Sequence, residues 1–264
     1  MHKKMALVLG ISLSTLLVFS FWVADRTQAH EIILDFSQQA EVDEEVNIDI
    51  TFGHFPDMYD YEHSFYEELE SGDLTVMKPD GSEKELDFAG GEKAYSASYV
   101  PAESGVYWLT FTSTRPVVDR TDDGEGRQLR YYDAKAPLIV EHEGNPFALP
   151  ETNLEVEAVT EDEIDNNAGE EITLQINYED EPAVDQSLTA VSPREEARAD
   201  ATDDEGRFTF TPDEEGVWFV HVSNLTDEEE EGEFRGEEYD RVRYNSALYL
   251  QIDEKKGFFE RLFD

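Results

Sequence analysis

Tyr99-Val-Pro101-Ala-Glu103-Ser-Gly105-Val106-Tyr107-Trp108 is answered further along the chain by Phe210-Thr-Pro212-Asp-Glu214-Glu-Gly216-Val217-Trp218-Phe219, at an offset of 111 residues. Proline and glycine at these spacings make a tight corner, and the residues that follow alternate like a strand entering a core. Tyr107, Trp108, Trp218 and Phe219 are therefore read as core aromatics, with a sugar-binding platform as the alternative. The match extends outward from this corner. Leu74-Thr75-Val-Met-Lys-Pro79 precedes it in the first copy and Leu188-Thr189-Ala-Val-Ser-Pro193 in the second, at an offset of 114. Beyond it, at the offset of 111, Arg130 falls on Arg241 and Ala136 on Ala247, each ahead of a closing apolar run. The chain is a duplication.

Within each copy the texture is that of short strands. Val46-Asn-Ile48-Asp-Ile50-Thr-Phe52 and Ile172-Thr-Leu174-Gln-Ile176-Asn-Tyr178 alternate with period two and are rich in β-branched residues. Turn signals such as Pro79-Asp80-Gly81 and Asp204-Glu205-Gly206 separate such runs, and no amphipathic helix of convincing length interrupts them. The expected fold is all-β: two tandem immunoglobulin-like or prealbumin-like sandwich domains of roughly 100 residues each. The first is placed at residues 30–145 and the second at 152–253. A linker, Glu143-Gly-Asn-Pro146-Phe-Ala-Leu-Pro150-Glu-Thr, lies between them, and a short apolar and basic tail occupies 254–264.

Residues 1–29 read as a signal peptide. Lys3 and Lys4 precede an almost unbroken apolar run from Ala6 to Ala24, and Ala29 offers a small side chain for cleavage. Processing there leaves His30 as the first residue of an exported protein, periplasmic or at the cell surface. Left uncleaved, the same run would tether the chain to a membrane. No cysteine follows, so lipid anchoring through cysteine, disulfides and thiolate metal sites are all excluded.

The net charge is −43, and cleavage removes three basic residues and one acidic one, leaving −45. Such a charge argues against a nucleic-acid partner. It suits a halophilic setting, where counterions screen self-repulsion.

No nucleophile elbow, phosphate-cradling glycine loop or His-Glu-x-x-His helix is present, and the protein is read as a non-enzyme. With six histidines in the chain, and His2 lost with the leader, imidazole is the scarce and informative group. A free His30 would offer an α-amine and an imidazole on one residue, able to close a chelate ring on a metal ion. The reference pKa of an α-amine, about 7.7–8.0, lets a metal displace its proton near neutral pH. His54, in Phe52-Gly53-His54-Phe55-Pro56, is the expected second ligand. His63, in Asp60-Tyr61-Glu62-His63, is a third candidate, whereas His142 and His221 are read as structural. Nitrogen donors suit Ni, Co, Cu or Zn.

These segments resemble a known family. Ala29-His30-Glu31 after the leader, Gly53-His54-Phe55, Lys78-Pro79-Asp80-Gly81, Tyr99-x-Pro-x-x-x-Gly105-x-Tyr107 and Arg130-Tyr-Tyr-Asp-Ala-Lys135 are similar to domain-of-unknown-function family 4198. Its exported members are also labelled as periplasmic components of ABC-type cobalt transport or as nickel transport complex subunits. The resemblance implies a binding protein for divalent nickel or cobalt, partnered with membrane metal-transporter subunits. The second copy, around Asp203-Asp-Glu-Gly206-Arg-Phe-Thr-Phe210, resembles a carboxypeptidase-regulatory module, which is usually structural. The alternative is a cell-surface interaction module without metal. A third reading takes a terminal His30 as the start of a copper site for oxidative attack on polysaccharides.

Overall fold

The computed structural model describes residues 30–56, 59–141, 149–152, 154, 156–160 and 164–254. The expected leader, His142, most of the expected linker and the tail from residue 255 lie outside them.

The protein is all-β, built from two four-stranded outer sheets and one nine-stranded sheet between them, with a two-stranded ribbon of Gly232–Phe234 and Glu237–Tyr239 beside them. The first outer sheet runs in the order Glu31–Asp35, Val46–Gly53, Tyr95–Tyr99, Ala89–Gly90. The second joins Val156–Val159, Ile172–Tyr178 and Glu181–Pro182, with Arg207–Phe210 also paired to Ile172–Tyr178. The large sheet holds strands from both copies. At its centre Arg241–Ile252 pairs in parallel with Gly126–Val140, and Gly216–Asp227 and Gly105–Arg120 flank them as antiparallel neighbours.

Side-chain alternation decides what this shared sheet does. Tyr107, Leu109 and Phe111 enter the core beneath the first outer sheet, whereas Trp108, between Tyr107 and Leu109, enters the core beneath the second. In the other copy Trp218 and Val220 belong to the second core and Phe219 to the first. The outer sheets thus cover opposite faces of one central sheet. Residues equivalent by the repeat, Tyr107 and Trp218, each fill their own copy's core; Trp108 and Phe219 each fill the other's. At this corner, equivalent residues on opposite faces of a sheet in which the two copies pair in parallel are what a two-fold axis along the strands produces; in the closing strands the repeat equivalents Ala136 and Ala247 instead both enter the first core. All four aromatics are at most 4% exposed, so none of them offers a platform to a sugar.

Two tandem beads joined by a linker would not share a sheet. The sequence alternation is satisfied equally by separate and by continuous sheets, because it specifies faces and not edge partners. Pairing across the copies removes two sheet edges that would otherwise be exposed. The register also departs from the repeat: Arg130 lies opposite Arg243, two residues beyond its repeat equivalent Arg241.

The corner itself is repeated in atomic detail. Gly105 has φ +139° and a Cβ there would lie 2.7 Å from Pro79 Cγ; Gly216 has φ +117° and would meet Pro193 Cγ at 2.9 Å. Glycine is required at both by backbone conformation and by the proline packed on it. Two residues later the aromatic ties the corner down. Tyr107 Oη donates to Glu103 O at 2.9 Å, and Trp218 Nε1 donates to Glu214 O at 3.0 Å.

The family-like segment Arg130 to Lys135 is part of the central sheet. Buried Lys135 donates to Pro150 O at 2.6 Å and lies 3.6 Å from Glu157, and Ser246 donates to Asp133 at 2.6 Å. Burial pushes Asp133 up to about 7 and Lys135 down to about 8. Lys135 fastens the entry to the second outer sheet, and Asp133 ties its strand to Arg241–Ile252.

Candidate metal centre

The strand Glu31–Asp35 is the edge of the first outer sheet and is buried along most of its length, because Tyr249 of the second copy reaches it: Leu34 N donates to Tyr249 Oη at 3.3 Å. Its antiparallel register pairs Glu31 with Gly53. His30 and His54 therefore extend from the same end of neighbouring strands, and their ring centroids are 4.0 Å apart.

His63 arrives from the segment that follows. Asp60 N donates to Phe52 O at 2.7 Å, which fastens this segment to the strand end, and turn bonds from His63 N to Asp60 O and from Tyr66 N to His63 O carry the chain round. The His63 ring then lies 4.6 Å from His30 and 4.9 Å from Phe52, on which His30 also stacks at 5.4 Å. The three histidines expected from sequence are brought together, from three separate points of the chain. His221 stands apart from them, buried, with Nδ1 3.7 Å from Glu31; desolvation lowers it to about 4, so it is neutral at ordinary pH.

The donor atoms are already partly assigned. His30 Nε2 is 2.7 Å from Asp60 Oδ2, at side-chain exposures of 29% and 40%. A carboxylate accepts only from a protonated nitrogen, so this bond leaves the lone pair on Nδ1, the atom that forms a six-membered ring with the residue's own α-amine. The bond from His30 lowers the Asp60 pKa; burial opposes it, and the charges of His30, His63 and His54 add to the lowering. His63 is lowered by burial first, then by His30 and Arg115, which favours the neutral, ligating form. Its Nδ1 accepts from Phe65 N at 3.1 Å. The Nε2 of that tautomer carries the proton, and ligation there would require this hydrogen bond to be given up.

Among the described residues no three His, Asp or Glu donors converge on one position that would hold an ion as they stand. The rings are adjacent, but His30 Nε2 is committed to Asp60 and His63 Nδ1 to the backbone N–H of Phe65. The chemistry of the set nonetheless fits a nitrogen-preferring transition ion: three imidazoles, one carboxylate in the outer shell and a partly open face. Asp60 was hidden in the sequence by abundance, as one of 63 acidic residues. Its spacing of three from His63 was the only local signal.

The hinge of the site is an aromatic contact with the other copy. Phe55, next to His54, stacks on Phe219 at 5.3 Å and meets Tyr249 edge-on at 6.2 Å. Among the described residues no helix is long and apolar enough to cross a membrane.

The sequence model of the family described as Domain of unknown function (DUF4198) matches residues 27–226. No curated protein matches the chain. Among solved structures, a DUF4785 family protein from Legionella pneumophila is similar at 9% identity and TM-score 0.30, over 74% of this chain and 54% of that one. The chain thus spans about half the length of that protein. Salmonella alpha-2-macroglobulin is similar at 13% identity and TM-score 0.25, over 83% of this chain and 14% of that one. The fibronectin(III)-like modules of Clostridium thermocellum CbhA are similar at 12% identity and TM-score 0.21, over 84% and 95%.

Proposed function

Because the chain belongs to the DUF4198 family, whose biochemistry its description leaves open, we propose from its own residues that it is an exported binding protein for a divalent transition metal, nickel or cobalt, which it passes to a membrane transporter. One observation carries the reading: the Asp60 bond to His30 Nε2 leaves Nδ1 able to chelate together with a free α-amine. His54 and His63 supply the further imidazoles. Export matters to the chemistry, since the α-amine exists only if the leader is cut after Ala29. The metal is cargo, held by imidazoles and amine that exchange faster than thiolates and can therefore release it.

Mass spectrometry of the secreted protein tests the first premise by its terminal residue, His30. Titration with Ni(II) tests the second, with about one equivalent expected at saturation. Affinity should fall in His54→Ala and in a form extended by one residue before His30. Equal affinity in the wild type and both variants would remove the proposed site.

A second reading is favoured by the packing itself: His30 stacks on Phe52, His63 packs tilted against it, and both spend a nitrogen internally, as structural histidines do. On that reading the protein is a cell-surface interaction module. It would retain no stoichiometric metal after dialysis against buffer.

A further inference from the structure

Arginine is scarce in this acidic chain and mostly ion-paired. Of the ten arginines among the described residues, seven are ion-paired with Asp or Glu. The three that form no ion pair there are Arg115, Arg130 and Arg243, and they are neighbours. Arg115 lies directly opposite Arg130 on the antiparallel side, and Arg243 directly opposite Arg130 on the parallel side. Residues in register share a face, so three guanidinium groups stand in a row across three adjacent strands, spaced by about 4.8 Å between strands. Like charges directly opposite are destabilising in a sheet. In a protein with 63 carboxylates, none makes an ion pair with these three among the described residues. Glu31, on which Arg243 acts, is buried and its pKa is raised by desolvation, so it does not neutralise the row, which calls for a partner from outside.

The row is held in place rather than splayed into solvent. Arg130 is only 8% exposed, and its Nε and Nη2 both donate to the neutral amide oxygen of Gln128, at 3.1 and 2.8 Å. One edge of the guanidinium is thereby fixed and its charge is left unmatched. Arg243 Nε is buried without a hydrogen-bond partner, and Arg115 lies 5.8 Å over the Phe65 ring. Burial, and the two flanking guanidinium groups Arg243 and Arg115, weaken the hold of Arg130 on its proton, with Tyr132 opposing. A bidentate oxyanion matches guanidinium geometry and relieves the mutual repulsion at once.

We propose that Arg115, Arg130 and Arg243 form a binding site for a small multivalent oxyanion, with a polycarboxylate favoured because it can span adjacent guanidinium groups. The site adjoins the histidine cluster. Phe65, beneath Arg115, donates its backbone N–H to His63 Nδ1, and Arg115 is near enough to His63 to lower its pKa. An anion that also chelates a metal would bridge the two sites, so that the cargo is an anionic metal chelate; this extension rests on the metal reading above.

Calorimetric titration of the full secreted chain at fixed chloride separates these claims, with citrate, inorganic phosphate, Ni(II) and Ni(II)–citrate as probes. Citrate should bind at one equivalent, more tightly than phosphate, and lose about tenfold or more in Arg115→Gln and in Arg243→Gln, the two half-buried members, as loss of charged hydrogen bonds requires. Arg130→Gln should lose more, and if it fails to fold the other two carry the test. Citrate and phosphate both failing to bind the wild type, or citrate binding equally to the glutamine variants, overturns the site. Phosphate binding as tightly as citrate overturns the preference for polycarboxylates. Ni(II)–citrate binding no tighter than citrate overturns the extension, and citrate binding without Ni(II) binding leaves the arginine site standing while the metal reading fails.

Discussion

Phe55 of the first copy stacks on Phe219 of the second, ring centroids 5.3 Å apart and planes within 14°. The candidate ligand His54 is therefore positioned by a contact that its own sandwich cannot make. Phe55→Ala should cost about 1–2 kcal/mol, less than a fully buried phenylalanine because the ring is half-buried. Its larger effect should fall on the site: Ni(II) affinity drops while the far-ultraviolet spectrum of the strands is retained. Calorimetry and circular dichroism on one preparation check both.

Asp60 holds His30 by the 2.7 Å bond to Nε2. Removing an outer-shell carboxylate of this kind typically costs about 10–100-fold in metal affinity. Asp60→Ala should weaken Ni(II) by that order with little change in melting temperature, since the pair is partly exposed. An unchanged titration would mean that the orientation of His30 does not matter to binding.

The first core includes Phe219, Ala247 and Tyr249 from the second copy. A fragment spanning 30–145 loses these residues and exposes the edge of Gly126–Val140 that Arg241–Ile252 covers. Large buried side chains are worth about 1.5–3 kcal/mol each, against a typical total stability of about 5–15 kcal/mol. The fragment is expected to be unfolded or aggregated, with amide exchange throughout; a cooperative, monomeric melt would contradict the shared core.

Gly216→Ala places a methyl group 2.9 Å from Pro193 Cγ on a backbone at φ +117°. Strain and overpacking add, for a loss of about 2–4 kcal/mol. Gly105→Ala, against Pro79, should behave alike. The repeat predicts paired effects, measurable by urea denaturation of the two variants side by side.

His221 is lowered from 6.5 to about 4 by burial. Between those values the unfolded chain binds the proton and the folded chain does not, so stability rises with pH across this window and is lost as pH falls through it. His221→Gln removes this dependence. The melting temperature of the variant relative to wild type should climb as pH drops from 6.5 to 4, by an amount on the order of 3 kcal/mol in stability at the acid end. Glu31, raised by burial beside it, acts in the opposite sense in both proteins and largely cancels in the difference.

The all-β class, the duplication and the Pro-x-Glu-x-Gly corner were legible in the order of residues, because period-two alternation and turn chemistry are local properties. So was the pairing of His30 with His54, since each flanks a strand with a strong apolar pattern. His63 was legible as a candidate only, and Asp60, the bond that orients His30, was not: one carboxylate among many carries no signal until the chain folds back on Phe52. Which strands meet was decided by tertiary structure alone. Alternation states which face a residue takes and is silent about edges, so neither the central sheet running through both copies nor the support of His54 by Phe219 follows from it. The same holds for the arginine row. Arg115, Arg130 and Arg243 come from distant parts of the chain, and only the parallel register between the two copies sets the third beside the others.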